Sequence, residues 1–153
     1  MLSRKEAIKK IFVRHKNGIF ITNTGYISRA VYNQYPSYKN IFYMQGSMGL
    51  APSIGLGIAL NSNKEVVVLS GDGSLLMHLG ITHTISEYNL KNLFVYVLDN
   101  ECHESVGGYS CSKLNKEYNG VTEVIKITND GKTGRVELDC ETNTKNVKEF
   151  ING

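Results

Sequence analysis

The chain carries no tryptophan, only two prolines and only three cysteines across 153 residues. It also has no apolar run near the ~18 residues that a membrane-spanning helix needs, so no such helix is expected within it. The opening stretch sets Arg4, Lys5, Lys9 and Lys10 among apolar residues and so lacks the continuous apolar core of a signal peptide. Cys102, Cys111 and Cys140 are odd in number and follow no framework spacing, which argues for reduced thiols and a cytoplasmic protein. Cys102-His103 followed by Cys111 fits no common zinc module and lacks a fourth ligand. Excess charge of one sign is missing too: the net charge is +3, the basic residues are dispersed, and no aromatics interleave with them, so no nucleic-acid partner is indicated. There are no internal repeats, linkers or low-complexity tracts. With 41% apolar and 20% charged residues, 1–153 reads as one domain able to bury its own core.

Taken in order, Ser3-Arg4-Lys5-Glu6 is a capping box, and Ala7, Ile8, Ile11 and Phe12 follow at helical spacing. Asn17-Gly18 ends that helix, and residues 19–22 form a first strand. Thr24-Gly25-Tyr26-Ile27-Ser28-Arg29 then leads through glycine into a helix. A second strand at 41–44 precedes Gly46-Ser47-Met48-Gly49 and a helix over 51–60. Pro52 suits the first turn of that helix, while Gly55, Gly57 and Ala59 allow it to pack close against the sheet or another chain. Residues 66–70 are a short β-branched strand that breaks at Gly71-Asp72-Gly73, and a helix starts near Ser74. A further apolar run, 93–98, delivers Asp99-Asn100. The interval 74–98 has room for one helix and one strand, so the two runs are expected to be parallel neighbours joined by a βαβ crossover. The expected class is therefore α/β.

Strand, glycine turn and helix start form a geometry that receives phosphate, because backbone N–H groups point outward there. Asp72 between the glycines would repel a phosphate unless a divalent cation lay between them. Asp99-Asn100 emerges on the same sheet edge, where open α/β sheets bind ligands. The loop 101–108, polar and glycine-ended, leaves that edge as a candidate flap, with His103 in it. His78 and His83 are five apart, which does not place them on one helix face, and they read as structural or surface residues. In the tail, 121–127 and 135–140 alternate as strands around Asn129-Asp130-Gly131. They are expected either as a hairpin or as parallel strands whose crossover helix is trimmed away. Val147, Phe150 and Ile151 suggest a short closing helix. A nucleotide-binding Rossmann reading lacks its Gly-x-Gly-x-x-Gly opening.

Three blocks occur in order: Gly46-Ser47-Met48-Gly49, then Gly71-Asp72-Gly73-Ser74-Leu75-Leu76-Met77-His78, then His103-Glu104-Ser105-Val106-Gly107-Gly108. Together they resemble the cofactor-diphosphate domain of the thiamine diphosphate-dependent decarboxylases of the phosphonopyruvate and sulfopyruvate group. The resemblance covers roughly residues 3 to 108, and 109–153 is shorter than that group's pattern. It implies a doubly wound, mostly parallel sheet with helices on both faces, the thiamine diphosphate-binding fold. It implies thiamine diphosphate held through Mg²⁺, with Asp72, the Asn100 side chain and the Cys102 carbonyl as metal ligands. Thr24, Gly25, Ser28, Ser47, Gly71, Gly73 and Ser74 would line the cofactor. The Gly46 carbonyl and Met48 N–H would address the aminopyrimidine, with the Met48 side chain wedged between the rings. His103 would act as acid/base or substrate ligand. Tyr26 and Ile27 stand where the group has Lys and Thr, and Asp99 where it usually has Asn.

In this superfamily the glutamate that hydrogen-bonds the aminopyrimidine sits in a separate pyrimidine-binding domain. The resemblance therefore implies a partner subunit carrying that domain and a 2-oxo acid substrate. When alone, the chain is expected to self-associate into a homo-oligomer through 49–60 and the flap 102–108, whose small residues allow close backbone approach. The alternative is a non-catalytic, shortened relative that serves as a structural or regulatory subunit, a reading that Tyr26 and the short tail favour.

Overall fold

β-branched runs that are apolar at every position need cover on both sides, and a parallel sheet between two helix layers provides it. The computed structural model describes residues 1–115 and 117–153. Its main sheet contains β1 (Ile19–Thr22), β2 (Ile41–Tyr43), β3 (Val66–Gly71), β4 (Leu93–Asp99) and β7 (Glu123–Lys126), all parallel, in the order β2-β1-β3-β4-β7. A short antiparallel ribbon, β5 (Cys102–His103) with β6 (Tyr109–Ser110), stands apart from it. Every residue of β1 and β3 is buried.

Helices α1 (Arg4–Arg14) and α2 (Tyr26–Gln34) cover one face, where Phe12 stacks on Phe20 at 3.8 Å between ring centroids. α3 (Ala51–Leu60), α5 (Gly80–Tyr88) and α6 (Cys140–Asn152) cover the other. The expected capping box forms in α1, with Ser3 accepting from the Glu6 N–H and Glu6 reaching back. Gly55 explains how α3 lies so near the sheet: a Cβ there would stand 2.4 Å from a Val68 methyl carbon. Gly57 faces open space and makes no such approach.

Two expectations need correction. The interval after Gly71 holds two helices, α4 (Asp72–Met77) and then α5, where one was expected. Met77 and His78 are exposed, so the apolar period lapses there and resumes on Ile81, Thr82 and Ile85. Of the two strands expected at 121–127 and 135–140, only the first forms. β7 joins the sheet parallel to β4, and 135–139 is not a strand. No hairpin forms, because the outer edge beyond β7 is met by the N-terminus: Leu2 bridges Ile127, and its carbonyl accepts from the Thr128 N–H at 2.8 Å. Val136 and Leu138 alternate because they pack on the core, not because they pair. Cys140, expected as a strand end, begins α6, which Asp139 caps by accepting from the Thr142 N–H at 2.8 Å. The closing helix is real and seals the β2 edge. Its buried Asn143 accepts from the Tyr43 N–H (2.9 Å) and donates to the Ile41 carbonyl (2.7 Å).

The chain leaves β1 toward β2 on one side, whereas β3 and β4 continue on the other. The crevice beyond the carboxyl ends of β1 and β3 is therefore the topological switch point, where such sheets take ligands.

Candidate functional site

The switch-point crevice is a narrow cleft of about 70 Å³. It is lined from four directions: Asn23, Thr24 and Tyr26 after β1, Met48 after β2, Gly71 to Ser74 at the end of β3 and the start of α4, and Asn100 with Cys102 to Val106 after β4. Ser74 ties three of these segments together. Its hydroxyl donates to Asn23 Oδ1 at 2.6 Å and accepts from the Gly49 N–H at 2.9 Å. Gly49 sits at φ +97, a backbone region that glycine enters without strain. Thus the loop after β2, the end of β1 and the start of α4 hold fixed relative positions.

Asp72 is the electrostatic centre. It is 3% exposed, and its Oδ2 is buried without a hydrogen-bond partner. Burial pushes its carboxyl above the usual range, and the neighbouring Asp99 carboxylate adds to that. Asp99 is also buried; Lys126 Nζ lies 2.7 Å from its Oδ2 and reaches Glu101 Oε1 at 2.7 Å as well. A buried carboxylate oxygen with no donor is costly to keep, and divalent cations satisfy such groups.

The flap closes over this centre. The His103 ring lies 2.3 Å from where a Cβ on Gly73 would stand, and the Ser105 hydroxyl lies 2.8 Å from the same point on Gly25. Both glycines therefore leave bare backbone against the flap. Asn100 donates from Nδ2 to Glu104 Oε2 (3.2 Å) and Asn129 Oδ1 (2.7 Å), while its oxygen accepts a long bond from the Cys102 N–H (3.4 Å). Among the described residues, no group of three His, Cys, Asp or Glu side chains is arranged to hold a metal. Any ion here would rely on Asp72 with amide or carbonyl oxygens.

Residues 22–136 match the family described as thiamine pyrophosphate enzyme, C-terminal TPP binding domain. The chain belongs to that family. This TPP-binding domain is 46% identical over 107 residues to sulfopyruvate decarboxylase subunit beta of Methanothermobacter thermautotrophicus, covering 70% of this chain and 57% of that one. It is 42% identical over 93 residues to phosphonopyruvate decarboxylase of Streptomyces viridochromogenes, covering 61% of this chain and 23% of that one. Thus the chain spans little more than half the length of the sulfopyruvate decarboxylase subunits it matches. A solved structure from Mycobacterium smegmatis, described as a candidate thiamin diphosphate-dependent enzyme, superposes with a TM-score of 0.58 at 18% identity. That match covers 74% of this chain and 24% of the other, and it supports the fold.

Within the TPP-binding domain, Thr24, Met48, Gly71, Asp72, Gly73, Ser74, Asn100, Cys102 and His103 all line the cleft. Gly25 borders it through Ser105. Met48 is half-buried and cleft-facing, so it is not an ordinary core methionine. Ser28 is not among the lining residues. Its hydroxyl is used internally, 2.7 Å from Thr22 Oγ1 and donating to the Met44 carbonyl at 3.2 Å. Gly46 and Ser47 are exposed and border a separate groove shared with Asn143 and Thr144. His78 and His83 are on the surface, as expected. Among the described residues, no helix is long and apolar enough to cross a membrane.

Sequence reading missed Asn23, Arg4 and the role of Glu104. Asn23 carried a signal, as a polar residue directly after a buried strand and beside a glycine turn. Arg4 did not, because it sits in a helix's first turn and its partner is a hundred residues away. The donor set fits a divalent cation with a diphosphate: an orphaned carboxylate oxygen, nearby amide and carbonyl oxygens, and bare glycine backbone.

Proposed function

We propose that this chain is the thiamine diphosphate- and Mg²⁺-binding half of a two-chain 2-oxo acid decarboxylase acting on sulfopyruvate or phosphonopyruvate. The observation that carries the reading is Asp72, whose buried oxygen lacks a partner at the switch point of a TPP-binding domain. The similarity to sulfopyruvate decarboxylase β subunits supports the substrate class, and their designation as subunits supports a separate partner.

In this reading Asp72, the Asn100 side-chain oxygen and the Cys102 carbonyl hold Mg²⁺, which prefers hard oxygen ligands. Thr24, Gly25, Gly71, Gly73 and Ser74 face the diphosphate, and Ser28 holds the floor beneath them. Gly46 and Met48 address the aminopyrimidine with their backbone, Ser47 shapes that turn, and the Met48 thioether fills the irregular gap between the rings. When bound, thiamine diphosphate supplies the electron sink for loss of carbon dioxide. His103, on the flap over Gly73, exchanges a proton with the substrate, and flap closure keeps water out. The partner subunit contributes the glutamate at the pyrimidine end. We place the pair in the cytoplasm, in keeping with three free thiols.

A second reading, a non-catalytic subunit that retains the fold, is favoured by Tyr26 at the position of the group's lysine. The deciding experiment is to copurify the chain with a pyrimidine-domain subunit and measure carbon dioxide release from sulfopyruvate and phosphonopyruvate with cofactor and Mg²⁺. Turnover by the pair and not by the isolated chain is the expected result. Calorimetric binding of cofactor and Mg²⁺ without turnover by the pair would favour the non-catalytic subunit.

A further inference from the structure

Three donors converge on one flap carboxylate. Glu104 Oε2 accepts from Arg4 Nη2 and from Asn100 Nδ2 (3.2 Å), and Glu104 Oε1 accepts from the Gly131 N–H (3.0 Å). The Arg4 side chain is 3% exposed and that of Glu104 14%. Arg4 lines the cleft, and its guanidinium carbon stands 5.3 Å from the centroid of the Tyr26 ring. Arg29 stands 5.1 Å from the same centroid. A buried guanidinium backed by an aromatic ring, with an amide and a backbone N–H beside it, is a fixed set of donors for an oxyanion. Among the described residues, the anion it pairs with is the Glu104 carboxylate of the flap.

We infer that Arg4, Asn100 and the Gly131 N–H form a subsite for the second acidic group of the substrate, its sulfonate or phosphonate. In the closed flap the Glu104 carboxylate occupies that subsite as an internal competitor. This rests on the proposed function and deepens it. Tyr26, at the position where the decarboxylase group has lysine, then does not abolish anion recognition. It supports the Arg4 guanidinium, which supplies the cation from α1 instead. Entry of substrate exchanges one anion for another on the same donors and releases the flap carboxylate. The cost of burying Arg4 is thus met in both states. A ligand competing with a tethered group binds more weakly by the fraction of time the site is free.

The test is calorimetric titration of the full chain with phosphonoacetate, a non-decarboxylating probe carrying a phosphonate, and separately with inorganic pyrophosphate and Mg²⁺. Glu104→Gln keeps the shape and removes the competing charge. It should tighten phosphonoacetate binding about tenfold or more and leave pyrophosphate unchanged. The double variant Glu104→Gln with Arg4→Gln should lose that gain. Glu104→Asp, which withdraws the carboxylate by one methylene and keeps a counter-charge, should give a smaller gain and serves if Glu104→Gln does not fold. Unchanged phosphonoacetate affinity in the folded Glu104 variant overturns the inference, as does a gain that survives loss of Arg4. A gain confined to pyrophosphate assigns the donors to the cofactor and overturns the substrate assignment. Thiamine diphosphate titrated on the same samples separates the two levels: if the cofactor binds and the probe shows no gain, only this inference fails, and if the cofactor does not bind, the proposed function fails.

Discussion

Asp72→Asn should make the cofactor-free protein more stable and remove its response to cofactor. In the wild type a 3% exposed carboxylate has one oxygen without a donor and faces a second buried carboxylate, Asp99, whose own Oδ2 is paired with Lys126 at 2.7 Å. A buried unsatisfied polar group costs about 1–3 kcal/mol. The amide of the variant has nearly the same shape, relieves the repulsion and offers an N–H to Asp99. The expected gain is about 1–2 kcal/mol, and each kcal/mol raises Tm by roughly 2–4 °C at this chain length. With Mg²⁺ and thiamine diphosphate at about 100 times Kd, the wild type should gain about 2.7 kcal/mol and the variant close to nothing. The order of stability therefore inverts on adding cofactor.

The pH dependence has a defined sign. Burial raises the Asp72 carboxyl above its unfolded value, so between the two values the folded chain binds more protons than the unfolded one. Stability then falls as pH rises through that window, and above it the full penalty remains. The variant should lack this component. Thermal unfolding with and without Mg²⁺ and cofactor, repeated across the acid range, measures all three. A variant less stable than the wild type without cofactor would show that Asp72 holds structure, and one still stabilised by cofactor and Mg²⁺ would remove Asp72 from the metal site.

Gly55→Ala should cost about 1–3 kcal/mol in chemical denaturation, since its Cβ would meet Val68 at 2.4 Å, while Gly57→Ala should be neutral or slightly stabilising. Cys111, whose thiol burial and the nearby Asp72 push up to about 11, should resist iodoacetamide at neutral pH and label as pH approaches that value; the exposed Cys140 should label first by mass spectrometry. Met48→Ala should lower turnover of the two-chain enzyme more than cofactor affinity; equal loss of both would make Met48 a binding residue only. The isolated chain exposes Leu50, Met77, Val106 and Tyr109 and should self-associate into a symmetric dimer by light scattering, a mass that a strictly monomeric sample would contradict.

The sheet was legible because its strands are buried on both faces, so composition alone marks them. Residues 19–22, 66–71 and 93–99 admit few other readings, and the helix at 51–60 is bracketed by Pro52 and a polar turn. The Gly-Asp-Gly turn was legible for a different reason: a carboxylate between glycines at a strand end has no structural use that explains it. The tail was not legible, because alternation reports one-sided burial and not pairing. Val136 and Leu138 satisfy it by packing on the core as irregular chain. The break at His78 was missed because no proline marks it, only a lone Gly80 and two exposed side chains.

The least legible feature is the one that connects the ends of the chain. The capping box around Arg4 predicts a helix start, which forms, and carries no signal that the Arg4 side chain is buried. That burial arises from topology. β7 adds next to β4, Leu2 bridges Ile127 beyond it, and that bridge carries the first turn of α1 over the carboxyl ends of the strands. Arg4 also bonds Thr133 there, and the Lys5 N–H reaches Asp130 at 3.3 Å, so the turn at 129–133 fixes the helix start against the flap. The N-terminus and the tail thus do one job together: they bring a buried guanidinium to the wall of the cleft. In the proposed function, that guanidinium is the side-chain cation offered to the second acidic group of the substrate. Tyr26 alone could not supply one, and the placement of Arg4 against its ring can.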